Sequence, residues 1–247
     1  MAPDILDVDE VVKAWAKEFR LEKDEKKLVS DEILSSDINW SHFNIEHETP
    51  KYDDDRKTGT PHSHVLVTTV FANSTDKDQV YSFKTERKTK STCMISITRS
   101  FRIESHLDVK LTPPNPIIQA NAGFKGELSL NKVEGETFEE ELTWSVDSQV
   151  TVSPNQKTTA ELVIKEEEYS GHFTIKSRFE GKVHVTLRNK KDHSIVTTLT
   201  GDAEQIFTQD RGFLMDGRHG PYAITQGICK CKYGIEQQVK LSQTDCM

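Results

Sequence analysis

The sequence predicts a mainly β fold of long antiparallel strands, with one short helix near the N-terminus. Apolar and polar residues alternate through most of residues 62 to about 200, which is the pattern of strands with one buried face. Hydrophobic residues make up only 34% of the 247 residues and charged residues 29%. Strands in ordinary globular proteins average about 5–6 residues. Alternation that continues much longer therefore indicates elongated ribbons with a thin core.

Residues 7–29 have the one convincing helical pattern. Their apolar residues recur at helical spacing: Val8, Val12, Trp15 and Phe19. Asp7 or Asp9 stands where an N-cap is expected. We interpret this segment as a helix docked on the sheet. The alternative, an anchor on a membrane surface, is disfavoured because acidic residues dilute the polar face.

The strand candidates follow in order after a charged, turn-rich run at residues 51–61. We predict strands in the segments 64–75, 79–111, 138–152, 157–171, 172–189 and 193–207. The C-terminal part, 213–234, has glycines at intervals typical of turns, followed by one more strand candidate. The chain is therefore divided into an N-terminal helix and cap region, 1–60, and a β domain, 61–247.

The segment 103–130 is an amphipathic hairpin whose centre is the proline-rich run 113-PPNPII-118. Proline lacks the N–H that a β-ladder needs, so strand pairing has to stop there. The apolar face comprises Leu107, Val109, Leu111, Ala120, Ala122, Phe124, Leu128 and Leu130. The polar face comprises His106, Asp108, Lys110, Lys125 and Glu127. Ile117 and Ile118 are expected to be exposed at the tip.

Two interpretations fit this hairpin. A half-buried antiparallel pair lying on its own domain, apolar side down, gives the same alternation. Each side also spans about 9–12 residues, close to the ~9–11 that a tilted membrane strand requires. A lone hairpin leaves unpaired backbone groups at its edges, which a bilayer does not tolerate. A membrane role therefore implies a closed barrel assembled from several copies.

Charge and composition exclude several classes of function. The net charge of −8 disfavours nucleic acid, whose binding depends on Lys and Arg. No apolar run approaches the ~20 residues of a membrane helix, and the N-terminus has no signal peptide pattern. We expect a secreted or cytoplasmic protein before any membrane insertion. No catalytic motif occurs in a recognisable sequence context, so we expect no enzyme activity and no cofactor.

The chain has four cysteines, Cys93, Cys229, Cys231 and Cys246. The C-x-C pair at Cys229 and Cys231 provides too few ligands for a metal site. We therefore expect no metal and predict reduced thiols. A disulfide from Cys246 to one of the pair is the alternative that the sequence leaves open.

Three segments occur in a specific order: 73-NSTDKDQVYSFKTERKT-89, the hairpin, and 143-TWSVDSQVTVSPNQKTTAELVIKEEEYSGHFTIKSRFEGKV-183. In this order, over about residues 62–205, the sequence resembles the aerolysin-like β-pore-forming proteins, the epsilon-toxin/mosquitocidal-toxin group that includes natterin-like proteins. Asn155 departs from the pattern, since the family often has a second proline there. The resemblance implies an elongated monomer with its insertion hairpin tucked against the sheet.

The resemblance also implies a function. Subunits would assemble into a homo-oligomeric ring of about seven on membrane lipid and release their hairpins to form a β-barrel. The apolar face would contact lipid, the polar face would line the pore, and Ile117 and Ile118 would anchor the tip. Lys88 and Lys90 would pair with Glu139 and Glu141 in the stem, within a subunit or between neighbours. The receptor is unknown, and the alternative is a non-lytic carrier of an apolar ligand or protein partner.

Overall fold

The computed structural model describes residues 3–18, 34–53, 61–107, 109–124, 126–132, 135–217 and 219–245. In chain order its helices and strands are β1 (Asp4–Asp7), α1 (Val8–Glu18), β2 (Leu34–Asn39), β3 (Phe43–His47), β4 (Lys51–Tyr52), β5 (His62–Asn73), β6 (Gln79–Arg102), β7 (Val109–Leu111), α2 (Asn115–Gln119), β8 (Leu128–Leu130), β9 (Glu136–Val152), β10 (Gln156–Asn189), β11 (Ile195–Asp202), α3 (Ala203–Ile206), β12 (Leu214–Met215) and β13 (Pro221–Asp245). The prediction of a mainly β fold with one short N-terminal helix is confirmed.

The sheet is organised around β10, which has 34 residues. At about 3.3 Å per residue, such a strand spans roughly 110 Å. One edge pairs antiparallel with β13, from Gln156↔Asp245 to Arg178↔Tyr222, and then with β11. The other edge pairs in turn with β5, β4, β3 and β2. β13 also pairs with β6, and β6 with β9. The molecule is therefore elongated, as the long alternating runs predict.

Two long strands continue through positions where the sequence predicts an interruption. Segments 157–171 and 172–189 are one strand, β10, and the hydroxyl of Tyr169 occupies the space where a Cβ of Gly171 would lie. Residues 221–245 likewise form the single strand β13, in which the Phe173 ring packs 2.6 Å from the Cβ position of Gly227. These glycines make room for aromatic rings from neighbouring positions instead of turning the chain.

The helix α1 begins where the sequence predicts it. The N–H of Glu10 donates a hydrogen bond to Asp7 Oδ1 at 3.2 Å, so Asp7 provides the N-terminal cap. Val8, Val12 and Trp15 are buried against the sheet. Phe19 and the predicted continuation to residue 29 lie outside the described residues.

Three buried clusters follow one another along the molecule. An N-terminal cluster joins α1 to Phe101, Phe179, Phe207 and Phe213. A central cluster contains Ile95, Phe173 and Ile175 together with the hairpin segment. A distal cluster lies between β9 and β10 and contains Val146, Val150, Val152, Leu162 and Ile164. The core is thin and extended, as the low hydrophobic content indicates.

Candidate functional site

The candidate site is the segment that links β6 to β9, residues 103–135, called the arm below. Its strands β7 and β8 pair antiparallel in the register Val109↔Leu130, Lys110↔Ser129 and Leu111↔Leu128. They form a two-stranded sheet separate from the large one. Within the described part of the chain, the arm's backbone ladder is therefore internal, and the arm lies on the main sheet through its side chains.

The arm places its apolar side chains on the main sheet and its polar side chains in solvent. Among the predicted apolar-face residues, six are buried in the central cluster: Leu107, Val109, Leu111, Ala122, Phe124 and Leu130. Ala120 and Leu128 are partly buried against it. Of the predicted polar face, His106, Lys110 and Glu127 are exposed, whereas Asp108 and Lys125 lie outside the described residues. For the described residues, the alternation thus separates the buried side of the arm from its exposed side.

The tip of the arm differs from the prediction. Ile117 is only 1% exposed, whereas Ile118 is 46% exposed. Proline fixes φ and suits the first turn of a helix, and the run around Pro116 forms the helix α2 instead of an extended tip. The helical turn, with Ile117 N–H bonded to Pro114 O at 3.0 Å, directs Ile117 into the core.

The arm's strands are also shorter than predicted. β7 and β8 have three residues each, whereas the alternation predicts sides of about 9–12 residues. Gly123 and Gly126 adopt φ angles of 92° and 93°. Glycine readily adopts this backbone conformation, whereas residues with a side chain rarely do. In this structure the ascending side is therefore a turn-rich loop that ends in a short strand.

A few polar contacts fasten the arm to its surroundings. The hydroxyl of Tyr52 donates a hydrogen bond to the carbonyl of Thr112 at 2.6 Å. Burial raises the pKa of Tyr52, so this hydroxyl remains a donor. At the base, the N–H of Glu104 donates to Asp9 Oδ2 at 2.7 Å. Burial raises the pKa of Asp9, although this hydrogen bond acts in the opposite direction.

The strands β6 and β9, which flank the arm, form a ladder from Gln79↔Val152 to Ile95↔Glu136. Lys88 Nζ lies 2.9 Å from Glu141 Oε2, and Lys90 Nζ lies 2.7 Å from Glu139 Oε2. In the monomer these pairs lie within one chain, and their pairing in an assembled stem, within or between subunits, stays a prediction. The hydrogen bond from Lys88 lowers the pKa of Glu141. Exposed pairs of this kind contribute little to stability.

Sequence reasoning missed a cluster of cysteines beneath this region. Cys93 Sγ lies 3.5 Å from Cys229 Sγ, which lies 3.4 Å from Cys231 Sγ. All three are free, buried thiols. Hydrogen bonds from Cys231 and Cys93 lower the pKa of Cys229. Cys93 joins the pair because β6 pairs with β13, a contact between distant segments that no local pattern indicates. Cys246 lies outside the described residues.

A buried carboxylate is a second feature that the local pattern did not reveal. Glu166 lies at a register shift between β10 and its neighbour β13 and is 7% exposed. Its oxygens lie 3.3 Å from His64 Nε2 and 3.1 Å from Lys232 Nζ. A buried charge requires partners of this kind. Its neighbours in the sequence, Glu167 and Glu168, give no sign that this one carboxylate is buried.

The helices in the described part of the chain are all too short or too polar to cross a membrane.

Comparison with known proteins gives one family and several similar folds. The model for the family described as Clostridium epsilon toxin ETX/Bacillus mosquitocidal toxin MTX2 matches residues 34–208. A non-toxic crystal protein from Bacillus thuringiensis has a TM-score of 0.68 at 11% identity, covering 98% of this chain and 98% of that chain. A chain in the Cry23Aa1 and Cry37Aa1 binary protein complex has a TM-score of 0.62 at 13% identity, covering 98% of this chain and 90% of that chain. The curated protein sequences give no match. These findings confirm the resemblance and the fold that the sequence predicts.

Proposed function

Because the chain belongs to the Clostridium epsilon toxin ETX/Bacillus mosquitocidal toxin MTX2 family, we propose that it is a pore-forming protein whose arm is the membrane-inserting hairpin. Subunits assemble on membrane lipid into a ring of about seven, and each contributes one hairpin to a β-barrel. One observation supports this most strongly: the arm forms its own two-stranded sheet and packs on the main sheet through an apolar face.

The energetics of the arm favour a membrane over water as its second environment. Moving a buried Leu, Val or Phe side chain into water costs about 1.5–3 kcal/mol. The arm buries several such side chains at once, so its release into water is strongly unfavourable. Lipid offers the same side chains an apolar environment, and the arm takes its internal ladder with it. Contact with a membrane therefore lowers the cost of release.

Insertion requires the arm to become longer strands. The helix α2 and the glycine turns would have to extend, so that each side reaches the ~9–11 residues of a membrane strand. The apolar face listed above then contacts lipid, and Ile117 and Ile118 lie at the tip. His106, Asp108, Lys110, Lys125 and Glu127 then line the pore. Closure into a ring pairs the outer edges of all the hairpins.

A matched pair of variants tests this assignment. Leu107 and Phe124 are 3% and 7% exposed, so aspartate at either position would disturb the monomer itself. Ile118 and Ile195 are 46% and 60% exposed, and aspartate at either position is expected to leave the monomer folded. We expect I118D to abolish dye release from liposomes, because a charge at the tip has to cross the hydrocarbon. I195D, which lies on β11 outside the arm, should release dye like the wild type.

Two outcomes would contradict the proposal. One is that the folded wild type releases no dye and forms no rings on liposomes at either pH 7.4 or pH 5.5, the range over which histidine side chains titrate. The other is that I118D and I195D release dye equally.

The second candidate function is a non-lytic carrier. One observation favours it: the protein that matches this fold with a TM-score of 0.68 is described as non-toxic. A small cavity between the main sheet and the arm would then hold a ligand, and its lining is mixed, with Tyr52, Tyr169 and Pro113 beside the polar Asp53 and Asn115. Native mass spectrometry of the purified protein distinguishes the two functions. A bound ligand without dye release supports the carrier.

A further inference from the structure

We infer that Cys93, Cys229 and Cys231 form a binding site for a soft monovalent metal ion, Cu(I), held by three sulfur ligands. The three Sγ atoms lie within 4.8 Å of one another. They come from two strands of one sheet, with Cys93 on β6 opposite Cys231 on β13. The ligands are therefore on rigid elements and converge on one point from both strands.

The spacing of the sulfurs suits a three-coordinate ion. With a metal–sulfur distance of about 2.3 Å, as in zinc thiolates, three ligands in a plane place their sulfurs about 4.0 Å apart. The separations of 3.5 Å and 3.4 Å come close to this value, and the third lies within 4.8 Å. Binding would require side-chain rotations that bring the three sulfurs to equal distances.

The ligand set and its surroundings select the ion. Within the described residues, the cluster of metal-binding side chains consists of these three thiols alone. Zn²⁺ in structural sites takes four ligands, whereas soft thiolates also select Cu(I). Each cysteine is at most 3% exposed, and the surrounding cluster includes Ile95, Tyr169 and Phe173. An apolar, water-excluding pocket of sulfur ligands disfavours hard cations that keep water or oxygen ligands.

Binding requires thiolates, so uptake of the ion releases protons and is coupled to folding. The ion would join β6 to β13 in the central cluster, directly beside the residues that bury the arm. We expect Cu(I) to raise the thermal unfolding midpoint of the reduced protein. This effect does not depend on pore formation, because the three cysteines lie on β6 and β13 and not in the arm.

The test uses the reduced full-length protein under anaerobic conditions with a Cu(I)–bicinchoninate complex as the probe. The protein is also refolded from urea in the presence of the complex, so that burial of the thiols does not prevent loading. The wild type and the matched control C246S should each retain one Cu(I) per chain. Loss of a group that only supports a metal ligand lowers metal affinity roughly 10–100-fold. C93S and C229S each remove a ligand itself, so their affinity for Cu(I) should fall by more than this.

X-ray absorption of the loaded wild type should show sulfur ligands only, three per copper. C93A, which adds no polar atom to the core, is measured with circular dichroism so that loss of binding is separated from loss of folding. The inference is overturned if the refolded wild type retains no copper, or if folded C93A binds copper as tightly as the wild type. Loss of binding in C246S, or a disulfide joining Cys93 to either partner in the freshly purified protein, also overturns it.

Discussion

The long strands β10 and β13 and the arm are both amphipathic, yet they are held in place by different interactions. β10 and β13 share an almost continuous ladder from Gln156↔Asp245 to Arg178↔Tyr222. The arm's ladder comprises three residue pairs and stays within the arm. Separating β10 from β13 breaks a long row of backbone hydrogen bonds, whereas lifting the arm breaks mainly side-chain contacts. This difference is what the proposed function requires, in which the arm detaches and the long strands β10 and β13, called the frame below, stay paired.

Truncating one leucine in each region gives the largest expected effects. Leu111 in the arm and Leu162 in β10 are both fully buried, and Leu→Ala at such positions costs about 2–5 kcal/mol. L162A should lower the free energy of global unfolding by this amount, measured by urea denaturation. L111A should mainly raise the frequency with which the arm opens, because the arm opens as a local unit. Hydrogen exchange of arm peptides measures that opening.

Similar behaviour of the two leucine variants would contradict the separate opening of the arm. Equal loss of global stability in L111A and L162A, with unchanged exchange in the arm of L111A, would mean that arm and frame unfold together.

An intermediate effect is expected from the hydroxyl of Tyr52. Y52F removes the donor to Thr112 O, and an intramolecular hydrogen bond of this kind contributes about 0.5–1.5 kcal/mol. We expect severalfold faster exchange in the arm and a faster onset of dye release. Tyr81 offers the matched control, since its hydroxyl donates to Ala72 O at 2.8 Å in the distal part of the molecule. Y81F should leave both measurements unchanged, and equal acceleration in the two variants would rule out a specific role for Tyr52.

The smallest effect is expected in the strands that flank the arm. Lys88 and Lys90 pair with Glu141 and Glu139 at the surface, where solvent and salt screen charges. The double variant K88Q/K90Q should leave the unfolding midpoint of the monomer unchanged within error. A clear fall in the midpoint at low salt that disappears at high salt would show that these pairs stabilise the frame more than their exposure indicates.

The sequence predicts what depends on local alternation and misses what depends on distant contacts. Alternation gives the buried and exposed sides of the arm, from Leu107 to Leu130. It misplaces Ile117, because the proline-rich run folds into a helical turn whose direction is set by the core beneath. It ends a strand at Gly171 and interprets Gly227 as a turn, because the aromatic rings that fill the space beside these two glycines belong to other positions. Cys93 joins Cys229 only through the pairing of β6 with β13.

The division into a cap region, 1–60, and a main domain, 61–247, remains a prediction. β2, β3 and β4 belong to the first part of that division, yet all three pair with β10 in the second. The family match begins at residue 34, and so it too crosses the predicted boundary. A proteolytic fragment that begins near residue 61 and stays folded would support the division.

In the proposed function the arm detaches while the strands beneath it stay paired. Hydrogen exchange followed by mass spectrometry, with and without liposomes, tests it most directly. Without lipid, arm peptides should exchange much faster than peptides of β10, and with lipid the arm should become protected as new strand pairs form. Peptides of β10 should remain protected in both conditions. Arm and β10 exchanging at the same rate in water, or an arm left unprotected on liposomes that release dye, would contradict the account.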